Sequence, residues 1–186
     1  MALEPLVIQG IVLREHGGAF ERVQVRGQVN LAHEPQVHNI ELVPAQARAC
    51  PEALASIEEA DWVVLGPGSW RTSVLPHLLL REQREALSTT NAKRCVVMNL
   101  ALDDKESNGL DAAAHLKLLQ QYAPNLRLDV VIADPSNMGV QSEFEDAARE
   151  LGAKVLWASV RSTTNPNVHD PLKLASAYND MFAMRL

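Results

Sequence analysis

Trp62-Val63-Val64-Leu65-Gly66-Pro67-Gly68-Ser69 is an apolar run of four residues that stops on a glycine-bracketed turn. An unbroken apolar run rich in β-branched side chains suits a strand buried on both faces, and the glycines allow a sharp turn at its end. Upstream, Pro51 occupies a first helical position and Leu54, Ile57 and Ala60 recur at helical spacing, which predicts a helix leading into this strand. Downstream, the pattern predicts a helix over about 73–87 with Pro76 in its first turn, a strand over 95–100, a helix over 111–122 and a strand over 128–133. Ser142 with Glu145 reads as a capping box opening a helix closed by Gly152, a strand follows over 154–158, and Asp170 before Pro171 caps a last helix. Four strand–helix units in succession imply a parallel sheet with right-handed crossovers and helices on its faces.

The first 45 residues have a different rhythm. Leu6 to Leu13 is apolar, His16-Gly17-Gly18 supplies a turn, and Val23, Val25, Val29 and Leu31 alternate with polar residues, as in an antiparallel hairpin; a short strand follows from Ile40 to Val43. With 186 residues the chain reads as a single α/β domain over 1–186, made of a β-rich segment (1–45) packed at the edge of the sheet formed by four βα units (46–186).

Hydrophobic residues at 47% and charged residues at 22% are the mix of a folded globular protein. The net charge of −6 would repel a phosphate backbone, so no nucleic-acid partner is expected. No apolar stretch is long enough for a membrane helix and no signal-peptide layout opens the chain, so no membrane association is expected and the location is read as cytoplasmic. Cys50 and Cys95 lack any ligand or pairing spacing, and Cys95 reads as inert core.

In open α/β sheets ligands bind beyond the carboxyl ends of the strands. Four segments fall there: 66–69, 99–109, 134–138 and 159–170. Gly66-Pro67-Gly68-Ser69, ahead of Thr72 and Ser73, is either an anion cradle of exposed N–H groups or only a strand-to-helix turn. Asn99 could bond a ligand or cap its loop. His169 and Asp170 could exchange protons, although Asp170 is fully explained as an N-cap. The six histidines show no metal-binding spacing, and Asp103, Asp104 and Glu106 read as a solvated cluster.

The string 60–76, Ala-Asp-Trp-Val-Val-Leu-Gly-Pro-Gly-Ser-Trp-Arg-Thr-Ser-Val-Leu-Pro, closely resembles the hallmark segment of the gluconeogenesis factor (YvcK-like) family, within the 2-phospho-L-lactate transferase (CofD-like) superfamily. Val96-Val97-Met98-Asn99-Leu100, Gly109 to Leu116, and His169-Asp170-Pro171 with Leu174-Ala175 resemble three further family blocks in the same order, most like actinobacterial members. The resemblance implies a Rossmann-like sheet and covers the C-terminal portion of the family pattern, without its glycine-rich opening half. Val168 stands where the family usually has Arg, and Arg71 where it usually has an aromatic residue.

By that resemblance the chain is expected to be a non-catalytic regulatory protein binding a nucleotide sugar of the UDP-N-acetylglucosamine type, linked to cell shape and wall synthesis. The alternative it implies is a transferase moving a phospho-lactyl-type group from a guanosine diphospho donor to a deazaflavin. The ligand site is placed at Gly66, Gly68, Ser69, Arg71, Thr72, Asn99, His169 and Asp170, with no catalytic or metal-ligating residue assigned. No cofactor is required on the first reading, and Mg2+ would serve only the second. A homodimer through an uncovered edge strand is also expected.

Overall fold

The computed structural model describes residues 1–34, 37–100, 111–137 and 139–185. Asp103, Asp104, Glu106 and Gly109 therefore lie outside the described residues. The chain divides into two compact units, one taking in residues 1–59 and 68–90, the other 60–67, 91–100 and the described residues from 111 onward.

In the first unit β1 (Val7–His16), β2 (Ala19–Arg26) and β3 (Val37–Val43) form an antiparallel sheet in the order β2-β1-β3. Gly17 and Gly18, at φ 60° and 82°, supply the left-handed pair that a two-residue hairpin turn needs, and His16 pairs with Ala19. The hairpin is shorter than its alternation predicts: Gly27, at φ 88°, ends β2, and Val29 and Leu31 fall in α1 (Gln28–His33), where Leu31 is fully buried. The pairing of β1 with β3 shifts register between Gln9 and Ile11, whose partners are Glu41 and His38. Asn39 and Ile40 thus stand opposite Gly10 alone, with Asn39 at φ 48°, and the bulge turns Val37, Ile40 and Leu42 inward together.

α2 (Pro51–Glu59) and the segment after the glycine loop complete this unit. The single helix expected over 73–87 is three pieces: a π-helical turn (Trp70–Val74), α3 (Leu75–Leu79) and α4 (Arg81–Thr89), with Leu80 extended at ψ 109°. Leu75, Leu78, Leu80 and Leu87 are all buried. Residues two apart on a continuous helix point about 200° away from each other, so Leu78 and Leu80 share a core only because the chain breaks between them.

The second unit holds the parallel sheet, in the order β4 (Trp62–Leu65), β5 (Lys93–Val97), β6 (Val130–Ala133) and β7 (Lys154–Trp157), every neighbour pair parallel. The N-terminal strands form their own hydrogen-bonded sheet and share no strand with it. α5 (Ala112–Tyr122), α6 (Gln141–Glu150) and α7 (Pro171–Ala183) follow β5, β6 and β7. One face of the sheet packs Cys95, Val97, Val130 and Ile132 against Ala177 and Met181 of α7. Cys95 is fully buried and its thiol is pushed up to about 12 by burial, so it is an unreactive core residue.

Asp111 caps α5 by accepting from Ala114 N–H at 2.7 Å, and Gly152 ends α6 at φ 88°. The predicted capping box does not form. α6 begins at Gln141, which places Ser142 inside the helix, and the Glu145 carboxylate instead accepts the Trp157 indole N–H at 2.9 Å while Trp157 packs against Phe144.

Candidate functional site

The carboxyl ends of the parallel strands are marked by Gly66 after β4, Met98 and Asn99 after β5, Asp134 after β6 and the segment from Ala158 after β7. Asp134 is the anchor of this rim. Its side chain is 1% exposed, and both oxygens are engaged. Oδ1 accepts from Ser136 N–H at 3.1 Å, from the Ser136 hydroxyl and from Arg161 Nε at 3.2 Å; Oδ2 accepts from Val160 N–H at 2.9 Å and Arg161 N–H at 3.2 Å. Burial alone would raise this carboxyl, but the donors of Ser136 and Val160 and the Arg161 charge outweigh it and hold Asp134 below the usual carboxylate range.

Arg161 and His169 are paired residues of a short antiparallel bridge, flanked by Ser162 N–H to Val168 O and Asp170 N–H to Val160 O, both 2.8 Å. Bridge partners project their side chains side by side. Arg161 spends Nε on Asp134, and among the described residues its buried Nη2 has no hydrogen-bond partner; the buried Nε2 of His169 has none among them either. Burial holds the His169 imidazole below its ordinary value, against the upward pull of the Met98 carbonyl and the Asp134 charge. Asp170 caps α7, its Oδ1 accepting from Leu172 N–H at 3.0 Å and Lys173 N–H at 3.1 Å. The N-cap reading of Asp170 is thus realised.

The eight sequence-assigned residues fall into two groups. Gly66, Asn99, His169 and Asp170 belong to the unit with the parallel sheet; Gly68, Ser69, Arg71 and Thr72 belong to the other. Gly66 has φ 74°, which accounts for a glycine there. A Cβ on Gly68 would lie 3.2 Å from Cβ of Ser73, so this glycine admits the first turn that follows. Ser69 Oγ caps that turn, accepting Thr72 N–H at 3.0 Å and the Thr72 hydroxyl at 2.6 Å. Arg71 is 4% exposed, and its Nη1 donates to the Glu34 carbonyl at 2.7 Å, at the end of α1.

Asp134 and Arg161 were not assigned from sequence. Asp134 had a signal, being the first polar residue after the fully apolar Val130–Ala133; Arg161 had only its place in the strand-end segment 159–170, and the bridge to His169 is what singles it out. Mg2+ needs free carboxylate oxygens. Asp134 offers none, since all its acceptor geometry is taken by N–H and O–H donors of the chain, so this carboxylate does not fit a metal site. Among the described residues no three His, Cys, Asp or Glu side chains converge to hold a metal ion. Among them, too, no helix is long and apolar enough to cross a membrane.

A parallel α/β sheet with its polar groups collected beyond the strand ends defines the Rossmann-like class of ligand-binding folds. The family profile described as 2-phospho-L-lactate transferase CofD matches residues 11–162, and the chain belongs to that family. Within it, the sequence is 38% identical over 163 residues to a Mycobacterium tuberculosis protein named "Putative gluconeogenesis factor", covering 86% of this chain and 47% of the relative. It is 26% identical over 152 residues to the gluconeogenesis factor of Listeria monocytogenes, covering 76% and 47%. The chain spans about half the length of the curated relatives it matches. A crystal structure of a UPF0052 family member from Bacillus halodurans superposes with a TM-score of 0.74 at 21% identity, covering 95% of this chain and 59% of that one, which places the fold.

Proposed function

We propose that the chain is the binding portion of a cytoplasmic, non-catalytic regulatory protein for a nucleotide sugar of the UDP-N-acetylglucosamine type, with a role in cell shape and wall synthesis. Membership of the gluconeogenesis factor branch supports this reading. The observation that carries binding over transfer is the state of the rim carboxylates. Asp134 is saturated by five donors, so it is not available as a general base or as a metal ligand for phosphoryl or lactyl transfer, and Asp170 serves as a helix cap through Oδ1. The family profile's name, 2-phospho-L-lactate transferase, keeps one competitor, the transferase that the sequence resemblance pairs with a guanosine diphospho donor.

Calorimetric titration separates the two. UDP-N-acetylglucosamine is expected to bind without magnesium; binding of a guanosine nucleotide that requires magnesium, with no response to the sugar nucleotide, would establish the transferase instead. Gly68→Val is expected to abolish the sugar-nucleotide signal, because its side chain collides with Ser73 and displaces the loop. Val168 is half exposed, so Val168→Arg is tolerated and is expected to tighten binding roughly tenfold by adding a charge-assisted hydrogen bond.

A homodimer belongs to the same proposal. β4 is at the end of the sheet order with β5 as its one hydrogen-bonded neighbour among the described residues, and an edge of this kind pairs readily with a second chain. Light scattering at high protein concentration is expected to give twice the chain mass, and a monomer at all concentrations would remove the dimer from the proposal.

A further inference from the structure

Buried donors without acceptors are costly, about 1–3 kcal/mol for each lost pairing, so two of them side by side call for a missing partner. Among the described residues Arg161 Nη2 is such a donor, and His169 Nε2, on its bridge partner just past the parallel strands, has no partner either and becomes a second donor when the imidazole is protonated. Both side chains are held from behind. Asp134 fixes Arg161 through Nε, while the Lys173 ammonium donates to the Arg161 carbonyl at 2.9 Å. The guanidinium is thereby oriented with its buried Nη2 unspent, and a quarter of the Arg161 side chain remains exposed to solvent.

We propose that Arg161 and His169 form an anion subsite that takes a phosphate group, with Arg161 Nη2 and His169 Nε2 each donating one hydrogen bond to it. This deepens the nucleotide-sugar reading and rests on it for the identity of the full ligand, but not for the phosphate chemistry. The subsite lies within the unit that holds the parallel sheet. Asp134 sets the charge balance. Its carboxylate neutralises Arg161, so the pair alone offers a hydrogen-bond donor with little net charge, and a bound phosphate dianion is best met when His169 is protonated. The charged neighbours to be considered around the imidazole are Asp134 and Arg161, with Asp170 and Lys173 on the adjoining helix start.

The test is an NMR titration of the His169 ring against pH, with and without inorganic pyrophosphate, on the whole chain. Pyrophosphate is expected to raise the His169 midpoint by about one unit, the shift that a tenfold preference for the protonated ring produces. Arg161→Gln is expected to weaken pyrophosphate binding at least about tenfold, with partial recovery in Arg161→Lys. His169→Gln keeps a donor but is expected to lose the pH dependence. Because Arg161→Gln also removes a partner of Asp134, its folding is checked by circular dichroism, and His169→Gln carries the test if that variant unfolds. Pyrophosphate that leaves the His169 ring unmoved at millimolar concentration, or that binds wild type and both Gln variants equally, would overturn the subsite. UDP-N-acetylglucosamine is titrated in parallel: pyrophosphate binding without sugar-nucleotide binding keeps the subsite and refutes the functional reading, while sugar-nucleotide binding indifferent to both variants does the reverse.

Discussion

Asp134→Ala is expected to destabilise the parallel-sheet unit by about 3–5 kcal/mol, the range for removing one partner of a buried charge pair. The substitution strips acceptors from Val160 N–H, Arg161 N–H and Ser136 N–H and leaves the Arg161 guanidinium buried without its counter-charge. In a chain of this length that corresponds to a fall in Tm of roughly 10 °C, read by thermal or urea unfolding monitored through the Trp157 environment. The deficit is also pH-dependent in a defined direction. The folded-state pKa of Asp134 lies below its unfolded value, so its contribution is complete above the ordinary carboxylate range and is lost as pH falls through the folded value. The gap between wild type and Asp134→Ala is therefore expected to be constant near neutrality and to close in acid. A variant as stable as wild type at neutral pH would mean that the five-donor cage does not hold the strand ends together.

The second large effect is expected in the other unit. A Cβ on Gly10 would stand 2.4 Å from Val37 Cγ1 and 3.2 Å from Leu31 Cδ2, and both neighbours are buried. Valine side chains have a single stiff χ1 and cannot swing aside, so Gly10→Val must push β3 off β1 at the bulge. A loss of about 2–3 kcal/mol is expected, with hydrogen exchange accelerated in β1 and β3. The partner position gives a control. Asn39 is exposed at φ 48°, a conformation that costs a β-branched residue about 1–2 kcal/mol and costs glycine nothing, so Asn39→Val is expected to weaken the sheet and Asn39→Gly to leave it intact. Equal effects of the two Asn39 substitutions would show that the bulge is not what fixes the register.

Both predictions turn on contacts that the local sequence does not show. Gly10 sits in an apolar run and reads as an ordinary strand residue; what makes it obligatory is the approach of Val37, twenty-seven positions away. Arg161 has no local pattern at all and gains its place through a bridge to His169 and an ion pair to Asp134.

Periodicity and caps act over a few residues, and the sequence reading succeeds where the physics is that local. The four apolar runs become the four parallel strands, and β6, between two neighbours, is buried throughout, whereas Val64 of the edge strand β4 is exposed. The Gly17-Gly18 turn, the Asp170 cap and the Gly152 stop follow from backbone geometry that only those residue types adopt or satisfy cheaply. The family blocks around residues 60–76 and 169–175 are likewise legible as strings.

Tertiary packing decided the rest. The helix expected after the glycine loop is broken at Leu80 because burying Leu78 and Leu80 together outweighs the propagation of one helix. Val29 and Leu31 leave the hairpin pattern once Gly27 turns the chain into α1, and Glu145 gives up its capping role to an indole N–H that sequence spacing cannot foresee. The Ser69–Thr72 hydroxyl pairing and the bond from Arg71 to the Glu34 carbonyl just past α1 are likewise contacts that spacing does not show. Short-range preferences set which segments are strands, turns and capped ends; long-range desolvation of Asp134, Arg161 and His169 set where polar groups must gather, because the cost of burying each is offset only by partners distant in the chain.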